Sequence, residues 1–329
     1  MRYFMNRLGF LLLSAWVAVT INFILPRMMP GNPALLMATR YQGMLSSRAL
    51  HALELQFGVT NAPLWQQYLQ YLNNLLHGNL GLSLSYYPVP VIKVIEQSLP
   101  WTLGLAGTAT VVAAVLGTMF GILAAWRRNG AMDSVLTTST TFTGHIPHQW
   151  FGLVLLLLFG YDLHWFPDAH AYTTSMTPEW SLAFITTVAY HAVLPALTIV
   201  VPGLGGWLLH MRNNMIQTLG DDYITFAQAK GVSSGGVMFR HAGRNALLPS
   251  VTSFAMALGF VVGGVILVEV VFSYPGVGYQ LFTAVGNEDY PLMQGLFLII
   301  SLSVLLANFL VELLYARLDP RVRKAGVKS

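Results

Sequence analysis

The segment DLHWFPDAH, Asp162–His170, places two aspartates and two histidines in one polar stretch, at spacings that a transition metal accepts. Imidazole and carboxylate are also ordinary in a wet loop, so the spacing alone assigns no metal ligand. His145 and His148 flank Pro147 and read as side chains lining a kinked helix. Two acids, Glu269 and Glu312, sit in long apolar runs, where an ionised group is a functional candidate. Both fall near the ends of their runs, whereas ion-coupled carriers place such groups near the midplane, so an interfacial carboxylate is the plainer reading. The chain has no GxxxxGK[ST] loop to cradle nucleotide phosphates and no cysteine. That excludes a P-loop ATPase, disulfides, thiolate metal sites and cysteine nucleophiles. Neither a catalytic residue nor a resident cofactor is assigned.

These groups are set in 329 residues of which 55% are hydrophobic and 9% charged, with a mean hydropathy of +0.58. A soluble domain carries about 25% charged residues, so this chain cannot cover a water-facing surface and must be integral to a membrane. Long uncharged runs without ten-residue alternation favour spanning helices over a barrel. The fold class is therefore all-α, a polytopic membrane bundle. Net charge is +4, but the 17 Lys and Arg are dispersed rather than massed, which argues against nucleic acid as a partner.

The apolar runs predict six transmembrane helices. Leu8–Pro26 is the first, expected as a retained helix within residues 1–29 rather than a cleaved leader. Residues 30–98 form an extracytoplasmic insertion in which SSRALHALELQFG and PLWQQYLQYLNNLL carry helical apolar spacing. The second span is Leu99–Trp126. Asp133 is expected to cap the third, which runs to Tyr161 with a break at Pro147. Thr177 and Pro178 are expected to begin the next helix, whose fourth span runs from about Ser181 to Arg212 and holds Pro195, Pro202 and Gly203–Gly206, the composition of a bent helix with close neighbours. Leu247–Phe272 is the fifth, Ser273–Pro291 an outer loop, and Leu292–Ala316 the sixth. Residues 99–316 thus make a five-helix core, with a basic tail at 317–329. Trp101, Trp126, Trp165 and Tyr315 read as interface belts. Arg127, Arg128, Arg212, Lys230, Arg240, Arg244 and the charges near both termini fall on one side, against Arg27, Arg40, Arg48 and Lys93 on the other. By the positive-inside rule, both termini are cytoplasmic.

The polar segment 213–246 lies on that same basic side. Asp221 is expected to cap a short helix carrying Asp222, Tyr223, Ile224, Phe226, Ala227, Ala229 and Lys230; Gly231 breaks it, and Ser233 caps a second short helix with Val237, Met238 and Phe239. So short a segment builds no core of its own, so its apolar face must be buried against the bundle, the lipid interface or another protein. A partner groove and an interfacial helix pair are both open on this pattern.

Here FAQAKG at Phe226–Gly231, followed by RHAGRNALLP at Arg240–Pro249, resembles the EAA coupling segment of the membrane subunits of ABC importers, although the glutamate naming that motif is absent. The chain is also similar to the first permease of the dipeptide, oligopeptide and nickel importer group through PGNPA at Pro30, HGNLGLSL at His77, LPWTLGLA at Leu99, IPHQWFGLVLLLLFG at Ile146, VEVVFSYPGVG at Val268, DYPLMQG at Asp289 and LDPRVR at Leu318. The resemblance implies a type I ABC importer permease fold in a prokaryotic plasma membrane. It also implies a second homologous permease, two ATP-binding subunits that hold ATP and Mg, and an extracytoplasmic substrate-binding protein. Gly231 would then turn the coupling element, Phe226 would anchor in an ATPase groove, and Arg240 or Arg244 would contact the ATPase or lipid head groups. Glu269, Phe272, Pro275 and Gly276 would lie at a gate or pathway for short peptides or a related small solute. An ion-coupled carrier or channel, and a membrane-embedded enzyme, are the alternatives.

Overall fold

The structure, a computed structural model, describes residues 2–28 and 62–318. The turn expected at Pro30, the helix expected over Ser46–Gly58, Arg40, Arg48 and the end of the basic tail lie outside the described residues, as does the side chain of Tyr315. The described residues are overwhelmingly helical. Helix α1 (Arg2–Met28) is followed by α2 (Leu64–Leu76), α3 (Val91–Trp126) and α4 (Ala131–Gly144). Helix α5 (His148–Leu155) continues with π geometry through Leu156–Asp162. Then come α6 (Leu182–Leu219) and the short α7 (Asp222–Ala229). A π-helical stretch, Gly236–Gly243, leads into α8 (Arg244–Gly259), and α9 (Val261–Gly264), α10 (Ile266–Val271), α11 (Val277–Gly286) and α12 (Tyr290–Leu318) complete the order.

Helices α1, α3, α6 and α12 each hold an apolar stretch long enough to cross a membrane. Two bent pairs bring the total up to six: α4 with α5, bent by 97° at the Pro147 break, and α8 with the segments to Val271, bent by 44°. Pro147 stands as the residue before α5, where its missing N–H costs nothing. At 36 and 38 residues, α3 and α6 would be about 54–57 Å long at 1.5 Å per residue, so their ends project beyond a hydrocarbon core of about 30 Å.

The bundle is organised around α3 and α6, which run in parallel and touch along their length. A Cβ added at Gly121 would lie 2.6 Å from the Leu208 carbonyl oxygen and 2.8 Å from Met211 Cβ, so only glycine lets the two backbones come this close. One apolar cluster, including Leu105, Ala109, Leu194, Val268 and Phe272, fills the space between α3, α6, α5 and α10. A second, with Val91, Ile95, Val277, Leu281 and Leu296, joins the start of α3 to α11 and α12. The third, with Ile122, Met211, Met215, Ile224 and Val237, closes the opposite end. Helix α1 rests on α12 through Phe4 against Phe309, the half-buried Arg7–Glu312 ion pair at 2.9 Å, and Asn22 bonded to the Gln294 backbone.

Several boundaries differ from the expected ones. The second span starts at Val91, not Leu99, because Lys93 and Glu96 pair at 2.7 Å on an exposed first turn and Pro100 is accommodated inside the helix. Asp133 does not cap α4: Gly130 holds that position, and the carboxylate is drawn to Arg212. The fourth span opens at Ser181, as expected, with Ser181 Oγ accepting from Phe184 N–H; Thr177 and Pro178 precede α6 rather than starting it, and α6 runs past Arg212 to Leu219. Ser233 does cap the next helical stretch, accepting from Gly236 N–H, but that stretch continues directly into α8 rather than forming a separate short helix. The fifth span therefore begins before Leu247. The outer loop expected over Ser273–Pro291 contains α11, and the sixth span starts at Tyr290.

Gly121→Ala lowers the apparent unfolding temperature of the detergent-solubilised chain, because overpacking costs about 1–3 kcal/mol. Gly9→Ala, at a site with nothing within 4 Å, leaves it unchanged. Identical thermal scans for the two variants would show that α3 and α6 are not in tight contact there.

Candidate functional site

Two groups of sequence-singled residues occupy opposite ends of the bundle. At the end where α3 begins, Glu269 is fully buried rather than interfacial. An isolated carboxylate in such a place would be very costly, and here both oxygens are satisfied. Thr102 Oγ1 donates to one oxygen at 2.6 Å, and the Gly278 and Tyr279 backbone N–H groups donate to the other at 2.7 and 3.2 Å. Thr102 Oγ1 in turn accepts from Val277 N–H at 2.8 Å. The carboxylate therefore sits on the first turn of α11, where unpaired helical N–H groups favour an anion. Gly276 is required beneath it, since a Cβ there would collide with the carboxylate atoms.

The other residues expected at this end have separate surroundings. Phe272 is buried in the central cluster and its carbonyl accepts from His170 N–H at 3.0 Å. Pro275 is half-buried at the surface of the corner. Beside it, burial and the neighbouring Glu269 carboxylate hold the Tyr274 hydroxyl well above the usual phenol range. A second buried acid, Asp289, secures the far end of the α11 segment. It accepts from Ser83 Oγ at 2.5 Å, from Ser85 N–H at 2.8 Å and from Leu292 N–H at 3.1 Å, so it caps α12 and ties it to the chain ahead of α3. In the Asp162–His170 loop, no three His, Asp or Glu side chains converge as metal ligands; the same holds across the described residues.

At the opposite end, Asp133 and Arg212 form a bidentate pair at 2.6 and 2.8 Å that locks α4 to α6, with Asn129 N–H also donating to the carboxylate. Next to this lock lies α7. Ile224 and Ala227 are buried, and Ile224 joins the closing cluster. Phe226 is 61% exposed, with Lys230 Nζ 4.4 Å from its ring centroid, and Tyr223 accepts from Asn245 Nδ2 at 2.8 Å. Asp221 precedes α7 without a side-chain capping bond, Asp222 sits in its first turn, and Ala229, Arg240 and Arg244 are exposed. Gly231 has φ +78°, the left-handed conformation that lets the chain reverse after α7. The turn and the helix are thus fastened on one face and open on the other.

Residues 117–324, well over half of the chain, match the family described as binding-protein-dependent transport system inner membrane component. The chain belongs to that family. It is a multi-pass inner-membrane permease of the ABC importer type, not an enzyme. Among its relatives, the di/tripeptide transport system permease protein DppB of Pseudomonas aeruginosa is 34% identical over 97% of each chain. The oligopeptide transport system permease protein AppB of Bacillus subtilis is 32% identical over 92% of this chain and 93% of its own. The dipeptide transport system permease protein DppB of Escherichia coli K12 is 33% identical over 98% and 99%.

The matched region takes in α7, the Asp133–Arg212 lock and Glu269, while Thr102 precedes it. Sequence reading of the permease missed Thr102, Asp289 and Arg212 as site-building residues. The available signal was polarity inside apolar surroundings: a hydroxyl in LPWTLGLA, and an aspartate one residue before the sixth span. Their partners lie far along the chain, so no local spacing links them.

Glu269→Gln and Thr102→Val each destabilise the solubilised permease by about 1–3 kcal/mol, the cost of leaving buried partners unsatisfied. The double variant costs less than the sum, because both changes remove the same bond. Unchanged or strictly additive shifts in thermal unfolding would show that the clamp carries no joint energy.

Proposed function

We propose that this permease is one of two membrane subunits of an ATP-driven importer of short peptides. An extracytoplasmic binding protein delivers the substrate, and two ATP-binding subunits, which hold ATP and Mg, work from the basic side of the membrane. The peptide assignment is supported by the relatives, whose names specify di-, tri- and oligopeptide transport. The observation that carries the coupling role is the two-faced α7, held by buried Ile224 and Ala227 while Phe226 points outward. An aromatic ring presented on a helix too short to stand alone suits the groove of a partner. Closure of the ATPase dimer pushes on α7, and the push passes through Ile224 to Met211 and Met215 of α6. Phe226 anchors the contact, Tyr223, Lys230, Arg240 and Arg244 surround it, and Gly231 sets its angle. Access through the pathway then alternates at the corner formed by Glu269, Phe272, Pro275 and Gly276.

Orientation follows from charge. With α7 cytoplasmic, both termini are cytoplasmic and the Asp162–His170 loop faces outward. The chain has no native cysteine, so single cysteines report cleanly. Cysteines introduced at Ser233 and Asp168 label from opposite faces with an impermeant thiol reagent; labelling of both from outside intact cells would sink this topology.

Gly231→Val forces a β-branched residue into positive φ, and Phe226→Ala removes the anchor. Truncating such a hot spot commonly costs about 2 kcal/mol, roughly thirtyfold in affinity. Both variants insert and pair with the second permease, but their ATP hydrolysis no longer responds to peptide-loaded binding protein. Phe226→Ala also loses ATPase subunits on purification. Normal peptide-stimulated hydrolysis and uptake in both would reduce α7 to an interfacial loop.

A further inference from the structure

The end of the bundle that carries the Glu269 clamp also holds a cavity of about 520 Å³. Four separate stretches wall it, with Tyr86 ahead of α3, Gln97 and Trp101 on α3, Tyr172 and Pro178 in the loop before α6, and Gln280 on α11. Its size falls within the range of roughly 300–1,000 Å³ typical of small-molecule sites and admits a peptide of two or three residues.

The chemistry of the wall is specific. Among the described residues, none with a formal charge lines the cavity. Its polar groups are neutral, among them the exposed carboxamide of Gln97, the carboxamide of Gln280 and the indole N–H of Trp101. Tyr86 hydroxyl donates to Gln280 Oε1 at 2.8 Å, which fixes that side chain and leaves its two N–H bonds to donate to a carbonyl. Tyr172 stacks on Trp101 at 5.5 Å and 26°, and Tyr274 meets the same indole edge-on at 6.0 Å, so the ring is held in place rather than packed loosely. The buried clamp supports both walls. Thr102 is the neighbour of Trp101, and the amide of Tyr279, next to Gln280, binds Glu269.

We infer that this cavity is a peptide subsite on the transport path, in which Gln97 and Gln280 bond the backbone amides of a di- or tripeptide and Trp101 and Tyr172 cover its side chains. The inference rests on the peptide-import reading. Because the hydrogen-bonding groups are neutral and address the backbone, while the aromatic rings cover side chains without a charge, the subsite accepts peptides of differing side chains and releases them readily.

The test uses the full importer complex, purified with Pro178→Cys supplying the only thiol of the permease at a wall position that bonds no part of the peptide, and trialanine in the millimolar range as probe. Maleimide modification of that introduced thiol slows by about threefold at twice the half-protecting concentration, as mass action requires. Leu76→Cys, exposed on α2 away from the cavity, shows no slowing. Adding Gln280→Leu to the Pro178→Cys complex raises the half-protecting concentration roughly fivefold, the loss of one neutral hydrogen bond. Absence of protection in the Pro178→Cys complex while the unmodified complex takes up trialanine in proteoliposomes would overturn the subsite and leave the peptide-import reading standing. Equal protection by maltotriose would overturn the peptide class of the ligand. Failure of the unmodified complex to take up any short peptide would overturn the import reading, and the subsite with it.

Discussion

A fully buried carboxylate is the constraint on which the corner of this bundle depends. Burying Glu269 without partners would cost several kcal/mol, a large fraction of the net stability of most domains. The structure meets that demand by bringing two elements to one point: the hydroxyl of Thr102 on α3, and the first-turn amides of α11 with the bare backbone of Gly276 just ahead of them. Neither can move alone without leaving a buried polar group unpaired. The clamp thus joins the backbone bonds of the corner between α10 and α11, Tyr274 N–H to the Glu269 carbonyl and Gly276 N–H to the Tyr274 carbonyl, in holding a defined angle. Asp289 repeats the device at the other end of α11, through Ser83, Ser85 and the first turn of α12.

The same helix that contributes Thr102 carries Ile122 and Ala125 into the cluster that seats α7. Roughly twenty residues of α-helix separate Thr102 from Ile122, about 30 Å along the axis. Helix α6 runs beside it in close contact, with Met211 and Met215 in that same cluster and Leu194 in the cluster nearer the clamp. Two parallel rods packed without a gap at Gly121 behave as one body, since neither slides without a collision. A displacement imposed on α7 in the proposed cycle is therefore delivered to the opposite end rather than absorbed along the way.

Much of this was legible in the residues. The long apolar runs, the Pro147 break, the Gly231 reversal and the Ser233 cap are local, and local chemistry was enough to place them. What escaped notice depends on distant partners. Lys93 and Glu96 made the start of α3 look too polar to be part of a span, yet the pair faces outward on a turn that projects from the bundle. Asp133 has the residue type of a cap, but Arg212, remote in sequence, claims its carboxylate. Helix α11 looked like loop because its own N-terminal residues offer no side-chain cap; the capping group is Glu269, supplied from the preceding element. The short α7 was legible as a helix, whereas its two-faced burial came only from the cluster behind it.

The position of charge at this end of the protein also bears on selectivity. Glu269 and Asp289 are both turned into backbone amides and hydroxyls, so their charge is taken up in holding the corner together. The cavity beside them is left with amides and aromatic rings. A pathway that presented bare carboxylates or ammonium groups would grip the termini of a zwitterionic peptide through charge-assisted bonds, roughly twice as strong as neutral ones. Transport needs binding favourable enough to admit a substrate and weak enough to release it. Neutral handles satisfy that requirement, and they discriminate poorly between side chains. If the proposed subsite lies on the path, choosing among peptides falls to the proposed delivering protein, and the membrane subunit needs only to recognise a peptide backbone.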